Sequence, residues 1–351
     1  MIDHVPLITL GIPIYNASDL IERTLLSALN QTYPNIEYLF IDDKGDSMDI
    51  VRRVVAEHPR RSDVHIIDQI YNQGIGAARN AILDRASGEY LFTMDCDDTI
   101  TVDCIEILYE KMMEHPVDFV AASFVRVDLE GNQYPGYQYE DTLVNGAGHP
   151  VAEYRYEKGK EIFVASWNKL YKKSFLDRYN IRCKVGHFNE DPWFTYQVIL
   201  NSSSCRLLPN CTLFYTYNPL SVSGKSSSHG YSDKIAHQYV DIQKLKSIYI
   251  APFIYESFYP DLLVDIMTMS IYHAYRIGMS FLLSHPLKRD LQNELLTRHF
   301  IFPPDRKGIT IKYFLLCLFF TFPLWFKRGL INLTVRLQIK DKIRKWIHFK
   351  S

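Results

Sequence analysis

The chain has 351 residues, of which 47% are hydrophobic and 23% are charged. These proportions are typical of a folded protein with one large domain or two ordinary ones, and they exclude a disordered chain. The formal net charge is -1 at pH 7, which argues against a general nucleic-acid binder because such proteins carry a strong positive balance.

Six cysteines are scattered along the chain and form no C-x-x-C pair. This spacing fits neither a disulfide framework nor a zinc site, and reduced thiols in a cytosolic compartment are the simpler interpretation. The first residues lack the basic start and the small-residue cleavage site of a signal peptide, and Pro13 interrupts their apolar run. No signal peptide is therefore predicted.

Short β-rich runs alternate with segments of helical periodicity between residues 7 and 122. The runs predicted as strands lie at 7–12, 36–41, 64–67, 89–94 and 118–123. The segments predicted as helices begin at Ser18, cover about 47–58 and 75–86, and begin again at Thr101. This alternation is typical of βαβ units and predicts an α/β fold with a mostly parallel central sheet and flanking helices.

The second half of the chain has a different character. From residue 124 to about 160 the pattern is loose, and ordered segments return at 166–176 and 186–200. A Ser-rich loop at 213–232 follows, and beyond it the apolar periodicity is mostly helical. The last third of the chain is therefore predicted to be a helical region.

Polar residues follow each predicted strand. Ligands of parallel sheets bind at the carboxyl ends of the strands, so these residues are expected to converge on one rim. In chain order they are Pro13, Tyr15 and Asn16, then Asp42 and Asp43, then Asp68 and the loop 72–80, and then the loop 95–98.

The segment TMDCDDTI places three carboxylates, Asp95, Asp97 and Asp98, within four residues. Such close carboxylates repel one another, so the loop is either well solvated or holds a cation. Asp95 and Asp97 provide the hard oxygen ligands that suit Mg²⁺ or Mn²⁺, which take one or two carboxylates together with substrate phosphates. The alternative is a solvated turn whose last aspartate caps the next helix. The rim shared with Asp43 favours the metal.

The loop NQGIGAARN carries Gly74 and Gly76 before a helix, with Arg79 inside that helix. Glycine-containing turns between a strand and a helix can present backbone N–H groups to phosphate. The loop fails as a dinucleotide fingerprint because the third glycine is missing. An ordinary helix start with small packing residues explains it equally well, and both interpretations stay open.

Two further carboxylate pairs are candidates. Asp43 is placed to accept a hydrogen bond from a ligand N–H, such as N3–H of uracil, whereas Asp42 is better explained as a turn and N-cap residue. Glu190 and Asp191 precede Pro192, which fits the first turn of a helix, where the helix dipole stabilises carboxylates. Either could instead be a general base facing the rim, and the local sequence does not separate these interpretations.

Five motifs in this order resemble glycosyltransferase family 2, whose enzymes have the GT-A fold. They are the segment 11–43, NQGIGAARNAIL, GEYLFTMDCDDTI, WNKLY and NEDPWF. The resemblance covers roughly residues 6–225 and leaves the last third uncovered. It implies a GT-A-type, Rossmann-like domain over residues 1–232, with a nucleotide-sugar half at about 1–123 and an acceptor half at about 124–232. A helical extension at 233–312 and a tail at 313–351 complete the predicted organisation.

The resemblance also implies roles for individual residues. Pro13, Tyr15 and Asp43 would contact the nucleotide base, Asp95 and Asp97 would hold the ribose and the metal at the donor diphosphate, and Asp191 would be the catalytic base. Further donor-binding candidates are Asn16, Asn72, Gly74, Arg79 and Cys96. Candidates for the acceptor side are Glu190, Trp167, Asn168 and Lys169. The last three could equally form a packed corner.

Two features depart from the family pattern or stay open. The segment DDKGDSMD has one residue more than the usual D-D-G-S-x-D, which puts the turn after Asp43 in doubt. His229, in the Ser-rich loop, is either a surface histidine or an additional ligand of the metal or diphosphate.

The activity implied is transfer of a sugar from a nucleoside-diphosphate sugar, with UDP as the expected nucleotide, to a hydroxyl of a glycan or lipid-linked glycan. The family likeness implies a metal-dependent single displacement with inversion, in bacterial cell-surface polysaccharide synthesis. A sugar-1-phosphate nucleotidyltransferase is the second hypothesis, although GIPIYNAS lacks the Gly-rich turn expected after its first strand. A non-catalytic nucleotide-sugar-binding module is the third.

The C-terminal segment suggests membrane contact. Residues 313–326 are intensely apolar, but the run is interrupted by Pro323 and is shorter than the ~20 residues of a helical span. Residues 327–351 carry eight basic residues against Asp341 alone, a net of +7. This combination predicts an interfacial anchor and peripheral attachment to the cytoplasmic face of a bacterial cell membrane. A buried helix with a solvated tail, or a contact between copies, is the alternative.

Overall fold

The computed structural model describes residues 5–187, 190–217, 230–297, 301–302 and 310–337. The chain divides into two compact units. The first comprises Met1–Val151 and Phe163–Asn218, and the second comprises Ala152–Ile162 and Pro219–Ser351. The predicted domain boundary at residue 232 stays a prediction.

The first unit is built on one sheet. Its strands in the described residues are β1 Ile8–Ile14, β2 Ile36–Asp42, β3 Val64–Asp68, β4 Tyr90–Thr93, β5 Thr99–Ile100, β6 Phe119–Val127, β7 Gln133–Tyr137, β8 Thr142–Asn145, β9 Lys169–Lys172 and β10 Ser204–Thr216. The strand order is β3-β2-β1-β4-β9-β6-β10-β5, with β7 on β6 and β8 on β10. The five strands predicted from the sequence correspond to β1, β2, β3, β4 and β6.

The sheet is mixed in direction. Strands β3, β2, β1 and β4 are parallel, and β6 is parallel to β10. Strand β9 is antiparallel to both β4 and β6, and β5, β7 and β8 are also antiparallel to their neighbours. The predicted α/β class is confirmed, but the continuous parallel part is restricted to the first four strands because β9 enters between β4 and β6.

Helices flank this sheet. They are α1 Ile21–Leu29, α2 Met48–Glu57, α3 Ile75–Arg85, α4 Cys104–Glu114, the short turn α5 Pro150–Ala152, α6 Lys173–Arg178 and α7 Glu190–Asn201. Strand β1 is buried along its whole length, as expected for a central strand that is covered on both faces. Helix α1 begins at Ile21 rather than at the predicted Ser18. Helix α4 begins at Cys104 rather than at the predicted Thr101, because the residues just before it, 99–100, pair with β10 as a short strand.

The second unit is helical, as predicted for the last third of the chain. Its helices in the described residues are α8 Asp233–Tyr249, α9 Tyr259–Met279, α10 His285–Leu296, α11 Ile311–Thr321 and α12 Leu324–Arg336. Helix α9 packs against each of the other four. Taken singly, none of the described helices has the length and hydropathy needed to cross a bilayer. Helices α11 and α12 pass that test only as a pair, and the pair is bent by 117°.

Candidate active site

The carboxyl ends of β1 to β4 meet at one edge of the sheet. Ile14 of β1 lies beside Asp42 of β2, which in turn lies beside Asp68 of β3. The loops that follow contact one another there: the Cys96 thiol is 3.9 Å from the Tyr15 carbonyl, and Asn72 donates to the Asp43 carbonyl at 3.0 Å. The structure thus brings the polar loops onto one rim, as the strand pattern predicts.

The turn after β1 and the turn after β2 are packed against each other. A Cβ added to Gly45 would lie 2.4 Å from the Asn16 nitrogen, so only glycine allows this approach. The extra residue of the second turn is accommodated by Lys44, which has a φ of 61° and whose N–H donates to Asp42 Oδ1 at 2.7 Å. Pro13 is buried within β1, whereas Tyr15 is 48% exposed at the rim.

Asp43 holds the loop that follows β3. Its two carboxylate oxygens accept backbone N–H groups from Gln73, at 2.7 Å, and from Gly74, at 2.9 Å. Burial raises the pKa of Asp43, although these two N–H groups work in the opposite direction. Gly74 has a φ of 86°, which glycine tolerates best. The sequence suggested that backbone N–H groups of this loop could bind phosphate. Two of them, on Gln73 and Gly74, bind the Asp43 carboxylate instead.

Arg79 has a position that the sequence did not predict. It is only 3% exposed, and its guanidinium contacts three carboxylates. One nitrogen donates to Asp95 Oδ1 at 2.6 Å, and the other donates to Glu190 Oε1 at 2.5 Å and to Asp191 Oδ1 at 2.7 Å. Burial opposes the charged form, yet the three carboxylates outweigh it and raise the pKa of Arg79 further. Arg79 is thus a buried bridge between the acidic loop and α7 rather than an outward-facing ligand.

The acidic loop has the geometry of a cation site. One oxygen from each of Asp95, Asp97 and Asp98 lies within 4.8 Å of the others. Asp98 is fully buried: its Oδ1 accepts the Thr216 N–H at 2.8 Å, and its Oδ2 has no partner among the described residues. A buried carboxylate oxygen without a partner is costly unless a cation or a proton neutralises it. These residues therefore fit a bound divalent ion such as Mg²⁺ or Mn²⁺.

The electrostatics of the loop point the same way. Burial, with the neighbouring Asp95 adding to it, raises the pKa of Asp97 to about 6. Burial also raises the pKa of Asp98 well above its ordinary value, with repulsion from Asp97 and Asp95 as further causes. The pKa of Asp95 is raised by burial and by Asp191, despite the attraction of Arg79. The loop carries more negative charge than its surroundings compensate, and a cation would relieve that excess.

Glu190 and Asp191 occupy the first turn of α7 but differ in environment. Asp191 Oδ1 accepts from Arg79 and from the Ser166 N–H at 3.0 Å, and its side chain is 22% exposed. Glu190 is buried, burial raises its pKa to about 8, and its Oε2 has no partner among the described residues. Asp191 is therefore the more accessible of the two carboxylates, while Glu190 belongs to the interior.

The WNKLY segment forms a packed corner. Trp167 stacks on Tyr215 at a ring distance of 5.6 Å. Asn168 donates to the carbonyls of Ala122, at 3.0 Å, and Ser123, at 3.1 Å. All three predicted acceptor residues, Trp167, Asn168 and Lys169, are buried.

Lys169 supports the same corner. Its ammonium donates to the Phe163 and Ala165 carbonyls, and burial lowers its pKa to about 7. The corner fixes the neighbouring Ser166, whose N–H contacts Asp191. The contacts of this corner are thus structural, and contact of Trp167, Asn168 or Lys169 with an acceptor stays a prediction.

Several contacts at the site had no signal in the sequence. Arg23, on α1, donates to the Asp97 carbonyl at 3.3 Å and to the Thr216 hydroxyl at 2.7 Å, which ties the acidic loop to β10. The contacts of Ser166 with Asp191 and of Thr216 with Asp98 are made by backbone N–H groups, which any residue type except proline provides. His229, the additional ligand considered above, lies outside the described residues.

Comparison with known proteins identifies relatives. Residues 9–180 match the family model described as glycosyl transferase family 2. Glycosyltransferase GlyA of Streptococcus pneumoniae serotype 4 is 28% identical over 239 residues, which are 67% of this chain and 33% of GlyA. The putative teichuronic acid biosynthesis glycosyltransferase TuaG of Bacillus subtilis is 31% identical over 153 residues, 41% of this chain and 60% of TuaG. The aligned part thus spans from a third to three fifths of these relatives.

A solved structure resembles nearly the whole chain. The crystal structure of Staphylococcus aureus TarS 1-349 in complex with UDP-GlcNAc has a TM-score of 0.57 and 17% sequence identity, and the match covers 98% of this chain and 93% of that one. At this identity the likeness shows the fold alone. It confirms the predicted GT-A-type fold with a helical C-terminal region.

Proposed function

Because residues 9–180 belong to glycosyl transferase family 2, as the sequence motifs predicted, we propose that this chain transfers a sugar from a nucleoside-diphosphate sugar to an acceptor hydroxyl. The observation that carries the proposal is the link between two groups of carboxylates. Arg79 joins Asp95 of the acidic loop to Asp191 of α7 at the ligand-binding edge of the sheet. Glycosyl transfer needs a site that neutralises the donor diphosphate and a group that accepts the proton of the acceptor hydroxyl. The acidic loop, with a bound cation, suits the first task, and Asp191 suits the second.

The donor would be held at the rim by the acidic loop and the first two turns. Asp95 and Asp97, with the unpartnered oxygen of Asp98, would hold Mg²⁺ or Mn²⁺ against the diphosphate. The ion would supply charge neutralisation for the leaving diphosphate. Tyr15, being exposed at the rim, offers a ring for contact with the base. UDP is the nucleotide proposed, and the UDP-GlcNAc complex of TarS, which has the same fold, supports it.

Asp191 would act as the general base. The acceptor hydroxyl attacks the anomeric carbon, the bond from that carbon to the diphosphate breaks, and the hydroxyl proton passes to Asp191. Arg79 and the Ser166 N–H both hold Oδ1, which fixes the carboxylate and leaves Oδ2 to accept the proton. A single displacement of this kind inverts the configuration at the anomeric carbon.

The acceptor proposed is a glycan or lipid-linked glycan in bacterial cell-surface polysaccharide synthesis. The assignment of TuaG to teichuronic acid biosynthesis supports this class. A lipid-linked acceptor would be met at the cytoplasmic face of the cell membrane, and we propose peripheral attachment there. The basic sequence of residues 327–351 supports that location.

The proposal is tested by incubating the protein with a panel of UDP-sugars and Mn²⁺ and measuring released UDP. We expect release that EDTA abolishes and that an exposed-carboxylate control, Asp84→Asn on α3, retains. Formation of pyrophosphate from UTP and a sugar-1-phosphate, without UDP release from any UDP-sugar, would establish the nucleotidyltransferase instead. Tight UDP-sugar binding without release, in the presence of candidate acceptors, would establish a binding module.

A further inference from the structure

Helix α11, together with the residue that follows it, exposes apolar side chains on the side opposite its buried residues. Ile311, Phe314, Leu315, Leu318 and Phe322 recur at helical spacing and are between 38% and 81% exposed. Trp325, at the start of α12, is 68% exposed. We call these six side chains the outward stripe. A monomer rarely leaves such a row of large apolar groups in water, and a row of this kind marks an interaction surface.

The opposite side of the same helices is fixed in the core of the unit. Tyr313, Leu316 and Phe320 of α11 are buried, and Ile331 of α12 belongs to the cluster formed with α8, α9 and α10. Partly buried Phe319 packs against that cluster as well. The outward stripe is therefore a surface on a folded unit, because the side chains between its members are anchored inside.

Lys327, one of the eight basic residues counted in the sequence 327–351, is engaged inside the unit and is not available to a partner. Its ammonium turns inward and donates to the Leu296 carbonyl at 2.6 Å and to the Phe320 carbonyl at 3.2 Å. These carbonyls lie at the ends of α10 and α11, so Lys327 caps two helices. Arg328 is also engaged, since it donates to Asn293 Oδ1 at 2.8 Å. The other six basic residues in the sequence 327–351 are Arg336, Lys340, Lys342, Arg344, Lys345 and Lys350.

We propose that the outward stripe docks on an anionic lipid bilayer and lies in the boundary between headgroups and acyl chains. This deepens the membrane location of the proposed function by naming the surface. The stripe supplies apolar area and an exposed tryptophan, which favours the interface, and the basic sequence directly after α12 supplies charge complementary to anionic headgroups.

The geometry favours an interfacial position over a spanning one. Helix α11 has 11 residues, which at ~1.5 Å each reach about 16 Å, roughly half of the ~30 Å hydrocarbon core. Helix α12 does not continue the line of α11 because the pair is bent by 117°. Each helix also has side chains buried in the protein core, so neither helix could be surrounded by lipid on all sides as a spanning helix is.

The test is flotation of the full chain with vesicles of phosphatidylcholine, with and without 30% phosphatidylglycerol. We expect the wild-type protein to float with the anionic vesicles at low salt. The triple variant Phe314→Ser, Leu315→Ser, Leu318→Ser should lose at least tenfold in vesicle partitioning. The control Ile248→Ser, Tyr255→Ser, which removes two apolar groups that are more exposed than these three and lie in other segments, should change it less than twofold.

Several results would overturn the proposal. The first is that the wild-type chain does not float with anionic vesicles at low salt. The second is that the triple variant floats as well as the wild type. The third is that the control loses as much vesicle partitioning as the triple variant. A wild-type dimer that becomes monomeric in the triple variant, without vesicle binding by either, would assign the stripe to a contact between copies. UDP release is measured in parallel, so a failure of membrane docking and a failure of glycosyl transfer are told apart.

Tryptophan quenching by brominated lipid gives a second measurement. Trp325 lies in the stripe, so its fluorescence should be quenched by anionic vesicles that carry bromine near the headgroup boundary. In a Trp346→Phe background, which removes the tryptophan of the basic sequence, Trp325→Phe should lose most of the quenching, whereas Trp193→Phe should keep it. Unchanged quenching in Trp325→Phe would contradict the proposed contact.

Discussion

The acidic loop of the first unit and the outward stripe of the second unit are both unfavourable for a protein alone in water. The loop gathers like charges, one of them on a fully buried side chain, and the stripe exposes six large apolar side chains. The proposed partner of the loop is a cation that arrives with a diphosphate, and the proposed partner of the stripe is lipid. A local cost to stability can therefore indicate the chemistry of an absent partner.

The two regions differ in how they are supported. The loop is held by polar contacts from distant parts of the chain, with Arg79, Arg23 and Thr216 as partners. The stripe is held by its own helix, whose other face is anchored in an apolar core. Polar contacts are directional, so substitutions near the loop should alter activity strongly, whereas substitutions near the stripe should alter membrane partitioning and leave turnover in solution intact.

The largest effect is expected for the acidic loop itself. Asp97→Ala removes a proposed cation ligand, and because such an ion supplies several kcal/mol of charge stabilisation, turnover should fall by at least ~10³-fold. Measurement of UDP release with titrated Mn²⁺ checks this, and circular dichroism checks that the fold is kept. Wild-type turnover with an unchanged Mn²⁺ requirement would contradict a ligand role for Asp97.

A smaller fall is expected for the proposed base. Asp191→Asn keeps the shape of the side chain but cannot accept a proton, so the transfer rate should drop by about 10² to 10⁴. Binding of UDP, measured by calorimetry, should change little. Full activity in this variant would move the role of the base to another residue.

The bridge between the loop and α7 should control stability as well as activity. Arg79→Met removes the guanidinium that three carboxylates share. Breaking a buried ion pair in this way lowers the free energy of unfolding by about 3–5 kcal/mol. Chemical denaturation compares it with Arg85→Met, an exposed arginine on the same helix. Equal stability of the two variants would refute the bridge.

The pH dependence of stability should distinguish the two regions. The pKa of Asp97 rises from 3.8 to about 6 on folding, so the folded state binds its proton more tightly than the unfolded state does. The contribution of Asp97 to stability is therefore fully present below about pH 4 and is lost as pH rises through about 6. Glu190, with a pKa raised to about 8, extends the loss towards alkaline pH.

Thermal unfolding in EDTA at pH 5 and pH 8 measures this loss. Asp97→Asn should gain about 1–2 kcal/mol over the wild type at pH 8 and nothing near pH 4, allowing for partial exposure of the side chain. Mn²⁺ should narrow the gap between the two pH values, whereas the stripe triple variant should leave it unchanged. An Asp97→Asn variant that gains no stability over the wild type at pH 8 in EDTA would contradict the shift.

The smallest effect is expected for the lysine beneath the stripe. Lys327→Met keeps the apolar stem but leaves the Leu296 and Phe320 carbonyls without a donor, at a cost of about 1–2 kcal/mol. Thermal unfolding of the variant is compared with Lys234→Met, an exposed lysine on α8. No difference between the two would show that the inward contacts of Lys327 add nothing to stability.

The sequence by itself determined the early strands and helices of the first unit and indicated the family, but it did not predict β5, β7, β8, β9 or β10. Strands β1 to β4 and helices α1 to α4 follow from local patterns of apolar residues, since each pattern spans only one element. The same patterns placed the acidic loop and Asp43 at strand ends, and hence on one rim. Motif order then identified the family without any knowledge of contacts.

Tertiary structure alone decided which partners these residues take. Arg79 and Glu190 are 111 positions apart, and no local pattern pairs them or turns Arg79 away from the ligand. Pairing with β10 made residues 99–100 a strand, and the insertion of β9 made the sheet mixed. Lys327 turned inward because two helix ends happen to meet beside it. Such contacts depend on how distant segments pack, and packing is a property of the whole fold rather than of any one segment.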